Sequence, residues 1–442
     1  MEITNFKARR DSVLSMMKDG VAIIPAASHL VRSNDTEFPF RQSSHFKYLT
    51  GFHEADSILV LCQNNEKFSQ ALFVLPKDEF AELWMGKRTG EIEAKDKYDL
   101  DASYSIDDFE KMLPEMLSGH KNLYIDLFDN EKLFSKVKDQ CQKLMRMKKK
   151  ATHSPTNIIH VNHLVEKLRL IKDKNEIQTM RVAMKATDIA HRAAMAMATP
   201  GKSEKDVADL MEYLFKKNDT QGMAYESIVA AGANGCVLHY IENNANLSDG
   251  EMLLIDAGSE LNLYATDISR TFPINGKFTN AQKNLYEIVL NAQKNSISKA
   301  KPGHTLTDCH MASVNTLTQG LIDLGILKGS LEENVESGAF KKYYPHGTSH
   351  WLGMDVHDQN PYLDEQLELI KFEPGMVFTV EPGLYLPVGD ANVPLEYQGM
   401  AIRIEDDILI TETGHENLSS MIPKEVSEIE EACAKDYKDF LI

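Results

Sequence analysis

Long apolar segments are missing from this 442-residue sequence. No run approaches the about 18 apolar residues that a transmembrane helix needs. The first residues carry no apolar stretch of signal-peptide length followed by a small-residue cleavage site. We therefore expect a cytoplasmic protein that has no membrane as a partner.

Cysteine is scarce, and its spacing predicts no disulfide framework. The chain has five cysteines, an odd number, and none of them forms a CxxC pair. Secreted domains that depend on disulfides have closely spaced cysteines in even numbers. The pattern favours a reducing compartment with buried thiols.

Positive charge is in deficit. The chain has 48 Lys and Arg residues against 66 Asp and Glu residues, which gives a formal net charge of −18. Because so acidic a chain is repelled by a phosphate backbone, we expect no nucleic acid as its main partner. The hydrophobic share of 43% is typical of a globular protein, and the length corresponds to roughly two or three domains.

The first 173 residues have the pattern of a small α/β domain. Short apolar runs at Ser57–Cys62 and Ala71–Leu75 are typical of buried strands bounded by polar turns, and helical stretches lie between such runs. We expect an α/β (α+β) protein of two domains. Residues 1–173 would form the smaller N-terminal domain, and residues 174–442 the catalytic one.

The order of elements in the C-terminal part occurs twice. A helix that stops at Pro200-Gly201 is followed by a second helix and by strands, and the same order returns around Pro302-Gly303. Two capping-box pairs open helices in this part: Ser203 with Asp206, and Thr279 with Gln282. We interpret the repeat as an internal duplication, with two similar halves that close around a shared sheet. Coincidence of common elements is the alternative.

Acidic residues occupy corresponding strand positions in the two halves. Asp256 and Glu381 each end an apolar strand, while Asp267 and Glu405 lie in the strands that return, 264–272 and 400–410. A carboxylate in an apolar strand is costly unless it is paired or binds a metal. Each acid alone is more often structural. Four that converge would repel one another, and divalent cations relieve that repulsion.

A segment rich in histidine offers an imidazole ligand as well. His346, His350 and His357 lie within twelve residues, together with Gly347 and Gly353. The glycines argue against a continuous helix, so we expect a shaped loop. An imidazole among carboxylates shifts the choice of metal towards Mn, Co, Zn or Fe.

The donors are sufficient for two cations, which in two-metal sites stand about 3.5–4 Å apart. The five residues that satisfy the count are Asp256, Asp267, His350, Glu381 and Glu405. A hydroxide held between two cations is a strong nucleophile at neutral pH. The other histidines would be free to hydrogen-bond a substrate, and His239 is the weaker candidate among them.

The motifs around these residues resemble the pita-bread metallopeptidase family, which comprises methionine aminopeptidases, prolidases and aminopeptidase P. The family's ligand order Asp, Asp, His, Glu, Glu is present in Ile255-Asp256-Ala-Gly258, Thr266-Asp267-Ile-Ser-Arg-Thr271, His346-Gly-x-x-His350-Trp-Leu-Gly353, Val380-Glu381-Pro-Gly383 and Ile402-Arg403-Ile-Glu405-Asp406. The resemblance implies a pseudo-twofold pita-bread catalytic domain that binds two divalent metal ions. Mn²⁺ is the first choice, with Co²⁺ or Zn²⁺ as alternatives. Asp267 and Glu405 would bridge the ions.

The N-terminal part narrows the resemblance to aminopeptidase P. Residues Arg32 to Phe52 are similar to the N-terminal domain of those enzymes, and methionine aminopeptidases usually lack a domain of this size. The resemblance implies a Xaa-Pro aminopeptidase. Its substrates would be peptides with proline at the second position, cleaved through a metal-bridging hydroxide.

The same resemblance implies roles for further residues. His239 and His357 would contact the substrate and stabilise the tetrahedral intermediate, and Glu381 would accept a proton. His346, Arg403 and Tyr385 would shape the proline pocket.

Two aromatic residues, Tyr225 and Trp84, would also line the site. In related enzymes a residue such as Trp84 reaches the cleft of a neighbouring subunit, so a homodimer or homotetramer is expected.

Three alternatives share this fold. A prolidase would cleave only Xaa-Pro dipeptides. The sequence distinguishes a prolidase only weakly from an aminopeptidase P, because both enzymes have the same five ligands. A non-catalytic binding protein and a metal-free hydrolase of the creatinase type tolerate the loss of ligands. The intact set in this chain argues against both.

Overall fold

The computed structural model describes residues 3–63, 69–147 and 153–441. Backbone contacts divide the chain into two compact units, Met1–Leu168 and Arg169–Ile442. The division falls within a helix, α7, which spans Asn162–Leu170. The expected fold class, two domains of mixed α and β structure, is confirmed. Among the described residues, no helix is both long enough and apolar enough to cross a membrane.

The N-terminal unit is built on a mixed six-stranded sheet of order β6-β5-β4-β1-β7-β8. Its strands and those of a small hairpin are β1 (Gly20–Pro25), β2 (Val31–Ser33), β3 (Thr36–Glu37), β4 (Ile58–Cys62), β5 (Gln70–Val74), β6 (Ala102–Ser105), β7 (Asn122–Ile125) and β8 (Asn157–His160). Strand β4 pairs antiparallel with β1 and β5. Successive residues of β4 and β5 are buried, so both faces of these strands are covered and their sequences are nearly continuous apolar runs.

Helices account for much of the rest of the N-terminal unit. They are α1 (Ile3–Met16), α2 (Ser44–Thr50), α3 (Glu79–Met85), α4 (Gly90–Lys97), α5 (Phe109–Leu117) and α6 (Glu131–Arg146), followed by α7. Apolar side chains of α5 and α6 pack with strands β1, β4, β5 and β7 to form the unit's own core.

The C-terminal unit contains helices α8 (Lys174–Met197), α9 (Glu204–Lys217), α10 (Asn280–Ile297), α11 (Leu306–Asp323), α12 (Leu331–Ser337) and α13 (Val426–Cys433). Its strands are β9 (Gly222–Met223), β10 (Ile228–Ala231), β11 (Met252–Asp256), β12 (Ser259–Leu261), β13 (Tyr264–Ala265), β14 (Ser269–Pro273), β15 (Val377–Val380), β16 (Gly383–Leu386), β17 (Met400–Arg403), β18 (Asp406–Ile410) and β19 (His415–Asn417). Both predicted capping boxes are confirmed, at the starts of α9 and α10.

The duplicated order of elements is present in this unit. Helices α8 and α9 precede the sheet β10-β11-β14, and helices α10 and α11 precede the sheets β15-β18-β19 and β16-β17. The expectation of one shared sheet is wrong in detail, because the strands form several small sheets. The halves still meet through the backbone, where the Glu405 N–H donates to the Ser269 carbonyl at 3.0 Å.

The two returning strands, which we expected to be continuous, are interrupted. Asp267 lies in the gap between β13 and β14, and Glu405 lies between β17 and β18. Inside a ladder, successive side chains alternate between the faces of a sheet. Because Asp267 and Glu405 lie between strands, this alternation does not determine the direction of their side chains.

A fully buried arginine joins the two halves. The guanidinium of Arg270 donates to the carbonyls of Ser269, Glu405, Ile422 and Pro423 and to the carboxylate of Asp406, at 2.6–3.2 Å. These five bonds use the whole donor capacity of an arginine side chain. Burial alone raises the pKa of Asp406, but Arg270 and Lys424 outweigh it and hold the pKa below its ordinary value.

We expect Arg270→Leu to destabilise the protein strongly. Breaking a buried pair costs about 3–5 kcal/mol, and here it leaves the fully buried Asp406 with Lys424 as its charged partner. The midpoint of urea unfolding, followed by tryptophan fluorescence, measures the loss. Lys205→Ala, which breaks only the exposed pair with Asp209, is the control and should leave the midpoint nearly unchanged. Equal midpoints for the two variants would contradict the structural role of Arg270.

Candidate metal centre

Nine of the twelve predicted site residues line one small cleft of the C-terminal unit. The cavity has a volume of about 190 Å³. Its lining is Leu238, His239, Asp256, Asp267, His346, His350, His357, Glu381, Arg403 and Glu405. Side chains that lie far apart in the sequence are thus brought within reach of one another.

The ends of strands place the four carboxylates. Strands β11 and β14 pair antiparallel with Asp256 opposite Ser269, and β15 and β18 pair with Val380 opposite Asp406. Asp256 is the last residue of β11, and Glu381 directly follows β15. Both antiparallel ladders therefore end where the acids stand, which puts the two acid pairs in corresponding positions.

Three of the predicted ligands form a tight group. One oxygen of Asp267, one oxygen of Glu405 and a ring nitrogen of His350 all lie within 4.8 Å of one another. His350 Nε2 is 3.3 Å from Asp267 Oδ2 and 3.9 Å from Glu381 Oε1. Its Nδ1 donates to the Trp351 carbonyl at 3.0 Å. A histidine that ligates a metal commonly has its second nitrogen held in this way.

The electrostatics of the cleft favour a bound cation. Burial, reinforced by Asp256, raises the pKa of Asp267, and burial with three neighbouring acids raises that of Glu405 well above its ordinary value. Burial likewise raises the pKa of Glu381 to about 7. Several oxygen donors with one imidazole form a donor set that suits divalent metals, so the residues present fit the divalent ions that the sequence predicts.

The positively charged partners are few. Burial lowers the pKa of His350, but Asp267 and Glu381 outweigh burial and raise that pKa to about 9. Arg403 Nη2 donates to Asp256 Oδ2 at 2.7 Å. Although burial raises it, the pKa of Asp256 is lowered overall because Arg403 stands so close. One carboxylate is thus partly neutralised by the protein.

Tyr225 contacts the carboxylates directly. Its hydroxyl oxygen lies 2.7 Å from Asp256 Oδ1 and 2.5 Å from Asp267 Oδ1, so the two carboxylates share the one proton that the phenol donates. Burial and the two acids raise the pKa of the phenol well above its ordinary value, which keeps it a donor. The structure therefore places Tyr225 beside two predicted ligands.

A chain of hydrogen bonds extends from Arg403 to the histidine-rich loop. Arg403 Nη1 donates to the Tyr385 hydroxyl at 2.9 Å, and that hydroxyl lies 2.8 Å from His346 Nε2. Burial and the nearby Arg403 lower the pKa of His346 to about 4, so the imidazole is neutral. The three residues predicted to shape a proline pocket are therefore connected.

His239 and His357 lie beside the acidic group. The rings of His357 and His350 are 4.4 Å apart between centroids. Burial, together with His350 and His239, lowers the pKa of His357, which favours the neutral imidazole.

Trp84, which was also predicted to line the site, is not among the residues that line the cleft. It belongs to α3 of the N-terminal unit, where its side chain is 73% exposed.

Sequence reasoning missed two polar residues of this site. Ser269 Oγ donates to Glu405 Oε2 at 2.8 Å and accepts from Arg403 Nε at 2.9 Å. Asp407, also buried, accepts the backbone N–H of Asp267 at 3.2 Å. Ser269 lies within the motif that contains Asp267, and Asp407 directly follows the motif that contains Glu405. The position of each polar side chain in an apolar strand is the sequence feature that could have identified it.

We expect Asp267→Asn to weaken the binding of divalent metal. Loss of a residue that only supports a ligand typically costs 10- to 100-fold in metal affinity, so loss of a ligand should cost at least about 10-fold. Isothermal titration of Mn²⁺ into the metal-free protein measures the change. Asp209→Asn, at an exposed acid on α9, is the control. Equal affinities for the two variants would reject Asp267 as a ligand.

Comparison with known proteins agrees with this geometry. Residues 178–412 match Metallopeptidase family M24, and residues 6–124 match the N-terminal domain of aminopeptidase P. The chain is 39% identical to the Xaa-Pro aminopeptidase of Escherichia coli (strain K12), over 96% of each chain. It is 35% identical to Xaa-Pro aminopeptidase 3 of Homo sapiens, over 97% of this chain and 86% of the relative.

A solved structure covers nearly the whole chain. The aminopeptidase PepP of Pseudomonas aeruginosa has a TM-score of 0.96 with this structure, at 37% identity, and 99% of each chain is covered. The family match spans most of the C-terminal unit, and the aminopeptidase P match lies in the N-terminal unit. The chain therefore belongs to metallopeptidase family M24, in its aminopeptidase P branch.

Proposed function

We propose that this protein is a Xaa-Pro aminopeptidase, which hydrolyses the bond between an N-terminal residue and a following proline. The observation that carries the proposal is the convergence of four carboxylates and His350 on one cleft that also holds three further histidines and Arg403. The names of relatives that match over both units support the choice of substrate.

The ligand set has a defined part in this proposal. Asp256, Asp267, His350, Glu381 and Glu405 would hold two divalent cations, with Mn²⁺ as the first choice and Co²⁺ or Zn²⁺ as alternatives. When bound, such cations lower the pKa of a water molecule and polarise the scissile carbonyl. The predominance of oxygen donors over a single imidazole supports Mn²⁺.

The protein's own groups would then orient the substrate. Glu381 accepts the proton of the attacking water at a carboxylate oxygen. The imidazole N–H groups of His239 and His357 donate to the substrate carbonyl as negative charge develops on it. Both imidazoles line the cleft, which supports this role.

Proline would be accepted for a simple reason. An Xaa-Pro amide has no N–H, so a site that binds it needs no acceptor at that position. His346 and Arg403 line the cleft and are connected through the Tyr385 hydroxyl, and these three residues would shape the proline pocket. Arg403 also donates a hydrogen bond to Asp256, so the same side chain would hold both the proline pocket and one of the metal ligands in place.

Two broader features belong to the same proposal. Helix α3 exposes Phe80, Leu83, Trp84 and Met85, each 66% exposed or more. Large apolar side chains that share one exposed helix are typical of a protein interface, which supports a homodimer or homotetramer with Trp84 at the contact.

All five cysteines are free thiols, which supports a reducing, cytoplasmic location.

We expect the protein to cleave an Ala-Pro-Ala tripeptide and to leave Ala-Ala-Ala intact, since the proposed pocket accepts a proline. Liquid chromatography of the products measures both reactions. The Ala-Pro dipeptide tests the prolidase alternative, because a prolidase cleaves only the dipeptide. The control is chelator-treated protein, which should be inactive and should recover when Mn²⁺ is restored. Full activity after verified metal removal, or equal cleavage of both tripeptides, would reject the proposal.

A further inference from the structure

The loop that carries His239 has little regular structure to hold it. It begins at the end of β10, contains a short 3₁₀ helix (Gly232–Cys236) and continues to residue 246 without a strand or α-helix. His239 is exposed on this loop and lines the cleft. Within the described residues, its imidazole makes no hydrogen bond, so the backbone of the loop sets its position.

A buried carboxylate outside the cleft anchors this loop. Glu204, the first residue of α9, has no exposed surface. Its Oε1 accepts from the Ala231 N–H at 2.7 Å and from Asn234 Nδ2 at 2.9 Å. Its Oε2 accepts from the Tyr240 hydroxyl and from the Ala245 N–H, both at 2.8 Å.

All four donors belong to the one loop, and they are spread along its length. Two stand near its beginning, one near its end, and Tyr240 directly follows His239 in the chain. A carboxylate has about four acceptor positions, and each of these bonds uses one of them. The N-terminus of a helix is also a favourable place for a negative side chain.

The loop is held on its other side by close packing. A side-chain carbon placed on Gly235 would stand only 2.9 Å from the Ala401 side chain of β17. Strand β17 ends at Arg403, which contacts the ligand Asp256. The loop is therefore fixed between Glu204 and the strand that supports the metal centre.

We infer that Glu204 is a positioning residue, which sets the place of His239 in the cleft through Tyr240 and the loop backbone. The inference rests on the proposed function, because it assigns Glu204 a part in that reaction. It predicts an effect on turnover that is larger than the effect on substrate binding, since His239 donates to charge that develops during the reaction.

The variant Glu204→Gln tests this inference. It keeps the shape of the side chain but places an NH₂ group against two of the donors. With metal-loaded protein and Ala-Pro-Ala, we expect kcat to fall on the order of 10- to 100-fold, the effect of a small misplacement. KM and metal content should change little. Hydrogen exchange of residues 231–245 should become faster.

The matched control lies two residues away. Asp206 caps the same helix through Ser203, at 2.8 Å and 2.9 Å, so Asp206→Asn weakens the start of α9 without touching the loop's four bonds. It should keep the wild-type kcat. A similar loss of kcat in Asp206→Asn would overturn the inference, because helix stability alone would then explain the effect.

A double-mutant cycle separates positioning from general stability. In a His239→Ala background, Glu204→Gln should lower kcat no further, because its effect passes through the missing imidazole. Independent, multiplying losses would overturn the inference, and so would a wild-type kcat in Glu204→Gln. If Glu204→Gln does not fold, Tyr240→Phe removes one donor only and takes its place in the cycle.

These experiments also distinguish a wrong role for Glu204 from a wrong proposed function. Wild-type cleavage of Ala-Pro-Ala with independent losses overturns the role of Glu204 and leaves the proposed function standing. A wild-type protein that leaves the tripeptide intact rejects the proposed function, and this inference with it.

Discussion

Mutual repulsion among four carboxylates, of which Asp267 and Glu405 are buried and Asp256 and Glu381 half-buried, is the constraint on which the C-terminal unit depends. Asp256, Asp267, Glu381 and Glu405 line a cavity of about 190 Å³. Taking such charges out of water is costly unless they are compensated. The raised pKa values of Asp267, Glu381 and Glu405 express that cost. Divalent cations would remove it and would be held tightly for the same reason.

The protein supports this acidic cleft with hydrogen bonds and two buried arginines. Arg403 fixes Asp256 and Tyr385, while Ser269 bonds to Glu405. Arg270 ties the backbone of Glu405 to β14 and is itself paired with Asp406. Rigid support of this kind matters for catalysis, because a ligand set that is already in place need not be ordered when substrate binds.

Local features could be predicted from the sequence, whereas contacts across the fold could not. Capping boxes involve residues three apart, so Ser203 and Thr279 could be recognised directly. The acids at strand ends followed from apolar runs and from motif resemblance. The interruptions at Asp267 and Glu405 did not, because a run of strand-forming residues does not reveal where its hydrogen-bonded partner stops.

Pairs of distant residues show the same limit. Arg403 and Asp256 are 147 residues apart, and only the closure of two halves brings them to 2.7 Å. Glu204 looked like an ordinary residue at the start of a helix, and its four donors come from a loop whose path the pattern does not define. Chemistry-bearing residues can therefore be found from motifs, but the groups that position them need coordinates.

The most direct test of the central claim is anomalous X-ray diffraction from crystals grown with Mn²⁺, recorded near the manganese absorption edge. The account predicts two peaks in the cleft, with Asp267 and Glu405 between them and Asp256, His350 and Glu381 at the sides. Peaks elsewhere, or no peak among these five side chains in an active protein, would contradict it.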